Sequence, residues 1–413
     1  MNFIDGNISK LGEFVGTFLP RGMLQSLIVD GIFAGVGGVL IFLPQILLLS
    51  CFIALLEDCG YMSRAAFLMD KLLGWCGLSG QSFIPMLSSF ACAIPGIMST
   101  RTIPHREDRF TTILVAPLMS CSARLPVYVI MIGAFVPDTP LIRGFLDLRG
   151  ATLFGIYTIG VIIAVIAAWV FKRLIFKGVK PPFILEMPSY KLPQAKTIFK
   201  KVYYEGHEFI ARAGTLIFAV TVIVWALAYF PHSQSITDQY DVQRQEITQQ
   251  VSDTTDLETA LLKIENRENG AHLENSYMGR IGHTIEPAFR PMGWDWRIAT
   301  ATMASFPARE IIVATLGTLF NLGSHEDEES DSLISTLQAA TWPDGRKLFN
   351  IPVALSIMVF FALCCQCAAT LAVIKRETGQ WRWPILSFTY MTILAYVASI
   401  ITYQSALFLG LGP

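Results

Sequence analysis

Three cysteines of this chain lie in apolar sequence close to a proline or to polar residues. Cys92 lies one turn before Pro95, Cys121 follows a Met-Ser pair, and Cys367 ends the motif Cys-Cys-Gln-Cys. Thiolates are soft ligands that favour copper(I), zinc and iron, whereas sites made only of carboxylates favour magnesium and calcium. A single membrane cysteine is most often a small buried hydrophobe. Three such cysteines in one membrane protein indicate instead a path for a transition-metal ion, with the thiols as its ligands.

Charged residues inside apolar sequence form the second group of candidates. Glu57 and Asp58 end the first apolar run, and Glu310 lies beside Arg309 in a later one. Because ionised groups at membrane depth are costly, they are functional by default. Each also has a structural interpretation, as a helix end paired with Arg64 or as an ion pair of Glu310 with Arg309 or Arg124. The residues predicted to line or gate the path are Glu57, Asp58, Ser120, Ser122, Arg124, Arg309, Glu310 and Gln366.

Motifs for enzymatic chemistry are missing from the sequence. It contains no Gly-x-x-x-x-Gly-Lys-[Ser/Thr] phosphate loop, no His-Glu-x-x-His and no Gly-x-Ser-x-Gly. The six histidines are scattered over loops and the ends of apolar runs, so none is predicted to be a ligand. We therefore expect no enzyme activity and no permanently bound cofactor.

Composition indicates which environment surrounds these residues. Of the 413 residues, 53% are hydrophobic and only 15% are charged, compared with about a quarter in soluble proteins. A net charge of −1 gives no reason to expect nucleic acid as a partner, because phosphate binding requires clustered Lys and Arg. These figures predict an integral membrane protein in contact with lipid, with its eight cysteines present as free thiols.

Apolar runs long enough to span a bilayer define a polytopic, all-α bundle. The runs are 27–56, 110–136, 150–171, 206–230, 350–374 and 384–411. Two further stretches, 82–100 and 300–319, are interrupted by prolines and, in the second, by charges. A broken backbone at membrane depth survives only inside protein or beside water. These two stretches are therefore predicted to be re-entrant or discontinuous helices.

Loop charges predict the orientation. Eight Lys or Arg residues in 172–205 place that loop in the cytoplasm by the positive-inside rule. The polar segment 231–297 is then external, and 235–275 is predicted to be a solvated helical pair. If both interrupted stretches are re-entrant, the Arg-rich loops after 82–100 and after 350–374 also face the cytoplasm.

An internal repeat relates the two halves. Residues 89–95 align with 305–311, and residues 121–127 align with 367–373, in the same order in both halves. The inferred orientations are opposite, which is typical of inverted-repeat transporters with a midplane site at broken helices. The predicted organisation is an amphipathic lead-in (1–26), a first repeat with its following spans (27–230), an external insert (231–297) and a second repeat (298–413).

With these motifs assembled, the chain closely resembles the membrane domain of bacterial ferrous iron transport protein B. The blocks that carry the resemblance are 42–45, 56–67, 82–87, 92–95, 101–102, 120–128, 308–310, 367–371 and 376–379. The resemblance implies two gate-type repeats, import of Fe2+ across the bacterial inner membrane, and a path lined by Cys92, Cys121 and Cys367. The motif Gly-Cys-Asn-Val-Pro of the family is replaced by Ala-Cys-Ala-Ile-Pro at 91–95, which removes one amide ligand.

Family members usually begin with a GTP-binding domain, whereas this chain opens beyond that point. The resemblance therefore implies a split gene or a truncated chain, a separate GTP-binding protein and a small FeoA-like accessory protein as partners, and a homo-oligomer. Three alternatives stay open. They are a gate-fold carrier of an organic solute such as a nucleoside, a non-transporting scaffold or receptor, and a membrane thiol enzyme, for which no histidine is suitably placed.

Overall fold

The computed structural model describes residues 11–12, 14–15, 18, 22–142, 146–176, 190–250, 254–307, 309, 311–322, 331–342, 344–365 and 367–411. Helices dominate these residues, and the two named strands among them, β1 (Pro140–Ile142) and β2 (Leu146–Asp147), form one short antiparallel hairpin. The predicted all-α fold class is confirmed.

The helices follow the apolar and polar runs of the sequence. In chain order they are α1 (Met23–Ser26), a π-helical turn (Leu27–Phe33), α2 (Ala34–Asp58), α3 (Tyr61–Cys76), α4 (Phe83–Ser89), α5 (Ala93–Ser99), α6 (Arg106–Val115), α7 (Leu125–Phe135), α8 (Leu148–Leu174), α9 (Ala195–Glu208), a second π-helical turn (Phe209–Gly214), α10 (Thr215–Tyr229), α11 (Gln234–Gln250), α12 (Thr254–Asn275), α13 (Tyr277–Phe289), α14 (Trp296–Ala304), α15 (Ile311–Leu319), α16 (Asp331–Ala339), α17 (Ile351–Leu363), α18 (Ala368–Thr378) and α19 (Arg382–Phe408).

Five helical stretches among the described residues are long and apolar enough to cross a membrane. They are Arg106–Phe135, Leu148–Leu174, Ala195–Tyr229, Ile351–Thr378 and Arg382–Phe408. Each overlaps one of the predicted runs. The remaining predicted run, 27–56, does not meet the criterion on its own. Its second part, Leu43–Asp58, meets it together with Tyr61–Trp75, and the two are bent by 84° at Gly60, whose φ is 85°.

Four stretches are broken, whereas the sequence predicted two. The expected breaks separate α4 from α5 and α14 from α15. In addition, the run 110–136 is interrupted between Leu118 and Leu125, and the run 350–374 is interrupted between Leu363 and Ala368. Both stretches still meet the criterion for a membrane span, so the predicted runs are confirmed, and their interruptions are additional features of the structure. Pro126 lies in the first turn of α7, where proline is tolerated because that N–H has no helical partner.

The first compact unit comprises Met1–Ala123, Phe154–Val222 and Ala362–Ala395. Its core is apolar and fully buried at Ile97, Ile113 and Ile374, which come from α5, α6 and α18. Tyr390 of α19 donates a hydrogen bond to the carbonyl oxygen of Leu114 at 2.5 Å. The unit is therefore assembled from segments far apart in sequence.

The second compact unit comprises Arg124–Leu153, Ile223–Phe361 and Tyr396–Pro413. Trp294 is fully buried in it, packs edge-on against Phe360, and donates from Nε1 to the hydroxyl of Ser356 at 2.8 Å. The predicted helical pair at 235–275 is confirmed as α11 and α12. Arg244 of α11 pairs with Glu268 of α12 at 2.5 Å.

Candidate functional site

Cys92 occupies the break between α4 and α5. Its backbone is extended, with φ −152° and ψ 131°, and it forms the N-cap of α5. The two helices pack back to back at Gly96, where a Cβ atom would lie 2.8 Å from the carbonyl oxygen of Pro85 and 2.0 Å from Ser89 Oγ. The predicted re-entrant segment is therefore a tight helical hairpin that presents a half-buried thiol at its break.

Cys121 occupies the break before α7, and its neighbour Ser122 links that break to the hairpin. Both the N–H and the hydroxyl of Ser122 donate to the carbonyl oxygen of Ala91, at 3.4 and 3.1 Å. Ser122 Oγ in turn accepts a hydrogen bond from Gln45 Nε2 at 2.7 Å. Since Ala91 precedes Cys92, the segments that carry two of the predicted ligands are hydrogen-bonded to one another.

Cys367 repeats the local geometry of Cys92. It is the N-cap of α18 and is extended, with φ −153° and ψ 105°. α18 packs against α5, and both Cys92 and Cys367 contact the same apolar core. Gln366, the adjacent predicted path residue, lies outside the described residues.

All three predicted metal ligands thus belong to the first compact unit. Across the described residues, however, no three His, Cys, Asp or Glu side chains are close enough to hold a metal ion together. Seven cysteines are described as free thiols. Their role as ligands stays a prediction that would require the thiols to approach one another when an ion arrives.

Glu57 and Asp58 lie at the end of α2, beside the bend at Gly60. Glu57 forms an ion pair with Lys201 of α9, and Asp58 Oδ2 accepts a hydrogen bond from the Gln194 backbone N–H at 2.6 Å. Arg64, which was considered as the partner of this helix end, has other contacts. It donates to the Gly60 carbonyl oxygen at 3.0 Å and lies over the ring of Tyr190.

Arg309 and Arg124 are both buried within the second unit. Arg309 is 5% exposed and donates from Nη1 to the carbonyl oxygen of Phe361 at 3.0 Å. Arg124 is fully buried and precedes the first residue of α7. Glu310, the carboxylate expected to pair with one of them, lies outside the described residues, so this ion-pair hypothesis stays a prediction.

Ser120 is buried at the α6–α7 break in the first unit. A Cβ atom at Gly160 of α8 would lie 3.4 Å from Ser120 Oγ and 3.3 Å from the carbonyl oxygen of Leu118. α8 therefore packs closely against this break, and its glycine permits the approach.

Sequence reasoning missed three buried carboxylates in the first unit. Glu377 pairs with Arg101 and Arg109, Glu208 pairs with Arg376, and Asp108 pairs with Lys172. One feature of the sequence could have indicated them: Arg376 and Glu377 are adjacent charged residues at the end of an apolar run. A cavity of about 420 Å3 lies beside the first two clusters.

Two family sequence models match stretches of this chain. The sequence model of the gate family, described as nucleoside recognition, matches residues 39–135 and 210–381. This chain belongs to the gate family. The model described as ferrous iron transport protein B C terminus matches residues 153–204, between the two gate segments. The resemblance inferred from the motifs is therefore confirmed, and the chain is a multi-pass membrane protein.

Relatives match this chain over nearly its whole length. An Fe(2+) transporter FeoB from Leptospira biflexa is 43% identical over 411 residues, which is 99% of this chain and 55% of the relative. An Fe(2+) transporter FeoB from Leptospira interrogans is 42% identical over 98% of this chain and 54% of the relative. A fusion of Fe(2+) transport protein A with Fe(2+) transporter FeoB from Porphyromonas gingivalis is 37% identical. The chain spans about half the length of these relatives. No solved structure matches it.

Proposed function

We propose that this chain moves ferrous iron across the bacterial cytoplasmic membrane. The observation that carries the proposal is the position of three thiols at helix breaks of one compact unit, in a chain whose relatives are named Fe(2+) transporter. At two of these breaks the cysteine has an extended backbone and forms the N-cap of the helix that follows. Soft sulfur ligands suit iron better than magnesium or calcium.

In this mechanism, Fe2+ loses water as it enters a site built from Cys121 and Cys367, with Cys92 nearby. Movement of one gate repeat against the other then exposes the ion to the opposite side of the membrane. Thiolate ligation requires deprotonation, so the affinity for Fe2+ rises with pH.

Partners of the chain are part of the same proposal. A separate GTP-binding protein is the proposed source of energy. An FeoA-like accessory protein is supported by the relative in which Fe(2+) transport protein A is fused to the transporter. The transporting form is a homo-oligomer in contact with membrane lipid.

The proposal is tested by anaerobic Fe2+ flux into liposomes that contain the chain. We compare the unchanged chain with the triple variant Cys92→Ser, Cys121→Ser and Cys367→Ser, and with Cys51→Ser, a cysteine on an exposed part of α2. We expect the triple variant to fall to the level of protein-free liposomes while Cys51→Ser keeps its flux. Thermal unfolding verifies that each variant is folded.

Equal flux from the triple variant and the unchanged chain would refute the thiol path and shift attention to Glu57 and Glu310. If neither conducts, the experiment is repeated with a GTP-binding protein added. Continued absence of flux there would refute Fe2+ as the cargo.

A nucleoside-like solute is the second candidate. Two observations favour it, namely the description of the gate family and the cavity of about 420 Å3, which lies within the range typical of small-molecule sites. Uptake of radiolabelled nucleosides into the same liposomes distinguishes the two candidates. Nucleoside uptake without Fe2+ flux would replace the first proposal by the second.

A further inference from the structure

Glu377, in the last turn of α18, joins three segments of the first unit. Its side chain is only 3% exposed. It accepts hydrogen bonds from Arg101 Nη2 at 2.5 Å and from Arg109 Nη2 at 2.8 Å. Arg101 lies in the turn Thr100–Thr102 that follows α5, and Arg109 lies at the start of α6. One carboxylate therefore ties the end of the Cys92 hairpin to the next span and to α18.

The preceding residue extends this connection to a fourth segment. Arg376 donates from Nη1 to Glu208 Oε2 at 2.9 Å, and Glu208 ends α9 with 8% exposure. We call the five residues Arg101, Arg109, Glu208, Arg376 and Glu377 the clamp. Its carboxylates are buried and its guanidinium groups are partly exposed, so it closes one end of the helix cluster with charge-assisted bonds.

Helices α5 and α18 connect the clamp to the thiols. Both begin at an extended cysteine N-cap, Cys92 or Cys367, and both lead to a clamp residue, Arg101 or Glu377. Nine or ten residues at a rise of 1.5 Å place the clamp about 15 Å from the cysteines. The two packed helices therefore have thiols at one end and ion pairs at the other.

The cavity occupies the space along these helices. Its lining on the two helices and the turn after α5 includes Ile94, Pro95, Met98, Arg101, Arg376 and Glu377. Ile94 is only two residues beyond Cys92. The cavity thus extends from the first turn of α5 to the clamp, and the clamp residues form part of its wall.

The basic residues around the clamp predict the side of the membrane on which it lies. Arg101, Arg109 and Arg376 cluster with nearby basic residues, which the positive-inside rule assigns to the cytoplasm. The arginines of the clamp are paired with carboxylates, so the clamp obstructs this end of the cavity with its side chains and not with a net positive charge. A divalent cation could pass this end only after the arginines move away.

We propose that the clamp is the cytoplasmic gate of the path and that Glu377 is the residue that holds it closed. The proposal rests on the proposed function for the identity of the cargo. The gate itself is a property of the first unit, because it controls access to Cys92 from the clamp side whichever solute the cavity carries.

Thiol accessibility tests the gate without relying on transport. Inside-out vesicles that contain the chain are treated with a membrane-impermeant methanethiosulfonate, and modification of Cys92 is followed by peptide mass spectrometry. Glu377→Gln removes the charge that holds Arg101 and Arg109 while keeping the shape of the side chain. We expect Cys92 to react about tenfold faster in this variant, as for a two-state element biased by about 1.4 kcal/mol.

Three controls separate opening of the gate from unfolding. Asp344→Asn breaks an exposed ion pair with Arg346 in the second unit and should leave the Cys92 rate unchanged. Arg101→Gln removes one arginine and keeps the pair of Arg109 with Glu377. Its rate of Cys92 modification should therefore lie between that of the unchanged chain and that of Glu377→Gln. Cys364 is fully buried in the same unit and should stay unmodified in every variant.

An unchanged Cys92 rate in folded Glu377→Gln would overturn the gate. Simultaneous modification of Cys364 would also overturn it, because Glu377 would then be a general brace of the fold. Faster Cys92 modification without Fe2+ flux in any variant would support the gate while refuting the proposed cargo.

Discussion

The helical hairpins α4–α5 and α14–α15 both break in apolar sequence, but different chemistry satisfies the backbone near the two breaks. In the first unit, the Ala91 carbonyl oxygen at the break accepts from the neutral amide and hydroxyl of Ser122. In the second unit, the break itself carries a buried guanidinium. Arg309 donates to the carbonyl oxygen of Phe361, which lies in the last turn of α17.

This difference indicates a division of roles. The first break carries the thiol of Cys92, and its hydrogen bonds come from the neutral residue Ser122. The second break uses a positive charge at a helix C-terminus, where the helix dipole favours it. We therefore expect substitutions at the first break to impair transport more than folding, and substitutions at the second to impair folding first.

The largest expected effect is that of Arg309→Gln. Removing the guanidinium leaves the Phe361 carbonyl oxygen without this donor, and loss of a buried hydrogen bond from a charged group costs about 3 kcal/mol. Cys92→Ser should cost less than about 1 kcal/mol, as for a near-isosteric change at a half-buried position. Chemical unfolding in detergent measures both. Equal losses would contradict the division of roles.

Gly96→Ala tests how tightly the first hairpin is built. The new Cβ atom would lie 2.8 Å from the Pro85 carbonyl oxygen, so α4 and α5 must separate, and such overpacking costs about 2 kcal/mol. Gly155→Ala is the matched control within α8, because no heavy atom lies within 4 Å of its new Cβ. Its stability should be unchanged or slightly raised. A tolerated Gly96→Ala would show that the hairpin is looser than described.

His272 in the insert provides a pH-dependent contrast to the permanently charged Arg309. Burial, followed by the neighbouring His232, lowers its pKa from 6.5 to about 4. The unfolded chain therefore binds the proton more readily, and stability falls as the pH drops from about 6.5 to about 4. The slope is at most about 1.4 kcal/mol per pH unit. Thermal unfolding across this pH range measures it.

His272→Gln isolates the contribution of this imidazole. The other titratable or charged groups around it are His232, Glu268, Arg244 and Asp241. Burial raises the pKa of Glu268, which acts in the opposite direction because the folded state then favours its protonated form. The pH slope of the variant should therefore be smaller than that of the unchanged chain, and an identical slope would contradict the assignment.

A smaller effect than that of Gly96→Ala is expected for Ser122→Ala. It removes the hydroxyl that accepts from Gln45 and donates to the Ala91 carbonyl oxygen, while the Ser122 N–H bond to the same oxygen remains possible. The expected cost is about 1 kcal/mol. A double-mutant cycle with Gln45→Leu should give a coupling energy of about 0.5 kcal/mol or more. Strict additivity would show that the Gln45 contact does not contribute.

The sequence was sufficient to predict five of the six spans and the two interrupted helices. Length and apolarity are sufficient for this, because a bilayer requires about 20 apolar residues and satisfied backbone groups. The helical pair α11–α12 followed equally from a polar run with few helix breakers.

Tertiary structure alone decided the breaks at Cys121 and Cys367 and the partners of the charges. Apolar residues on both sides of a break give the same local signal as a continuous helix. The break persists because distant groups satisfy its backbone, as Ser122 does for Ala91. The pairing of Glu377 with Arg101 spans 276 residues, and Lys201 replaces the nearby Arg64 as partner of Glu57. Such pairings depend on packing between helices, which local sequence does not encode.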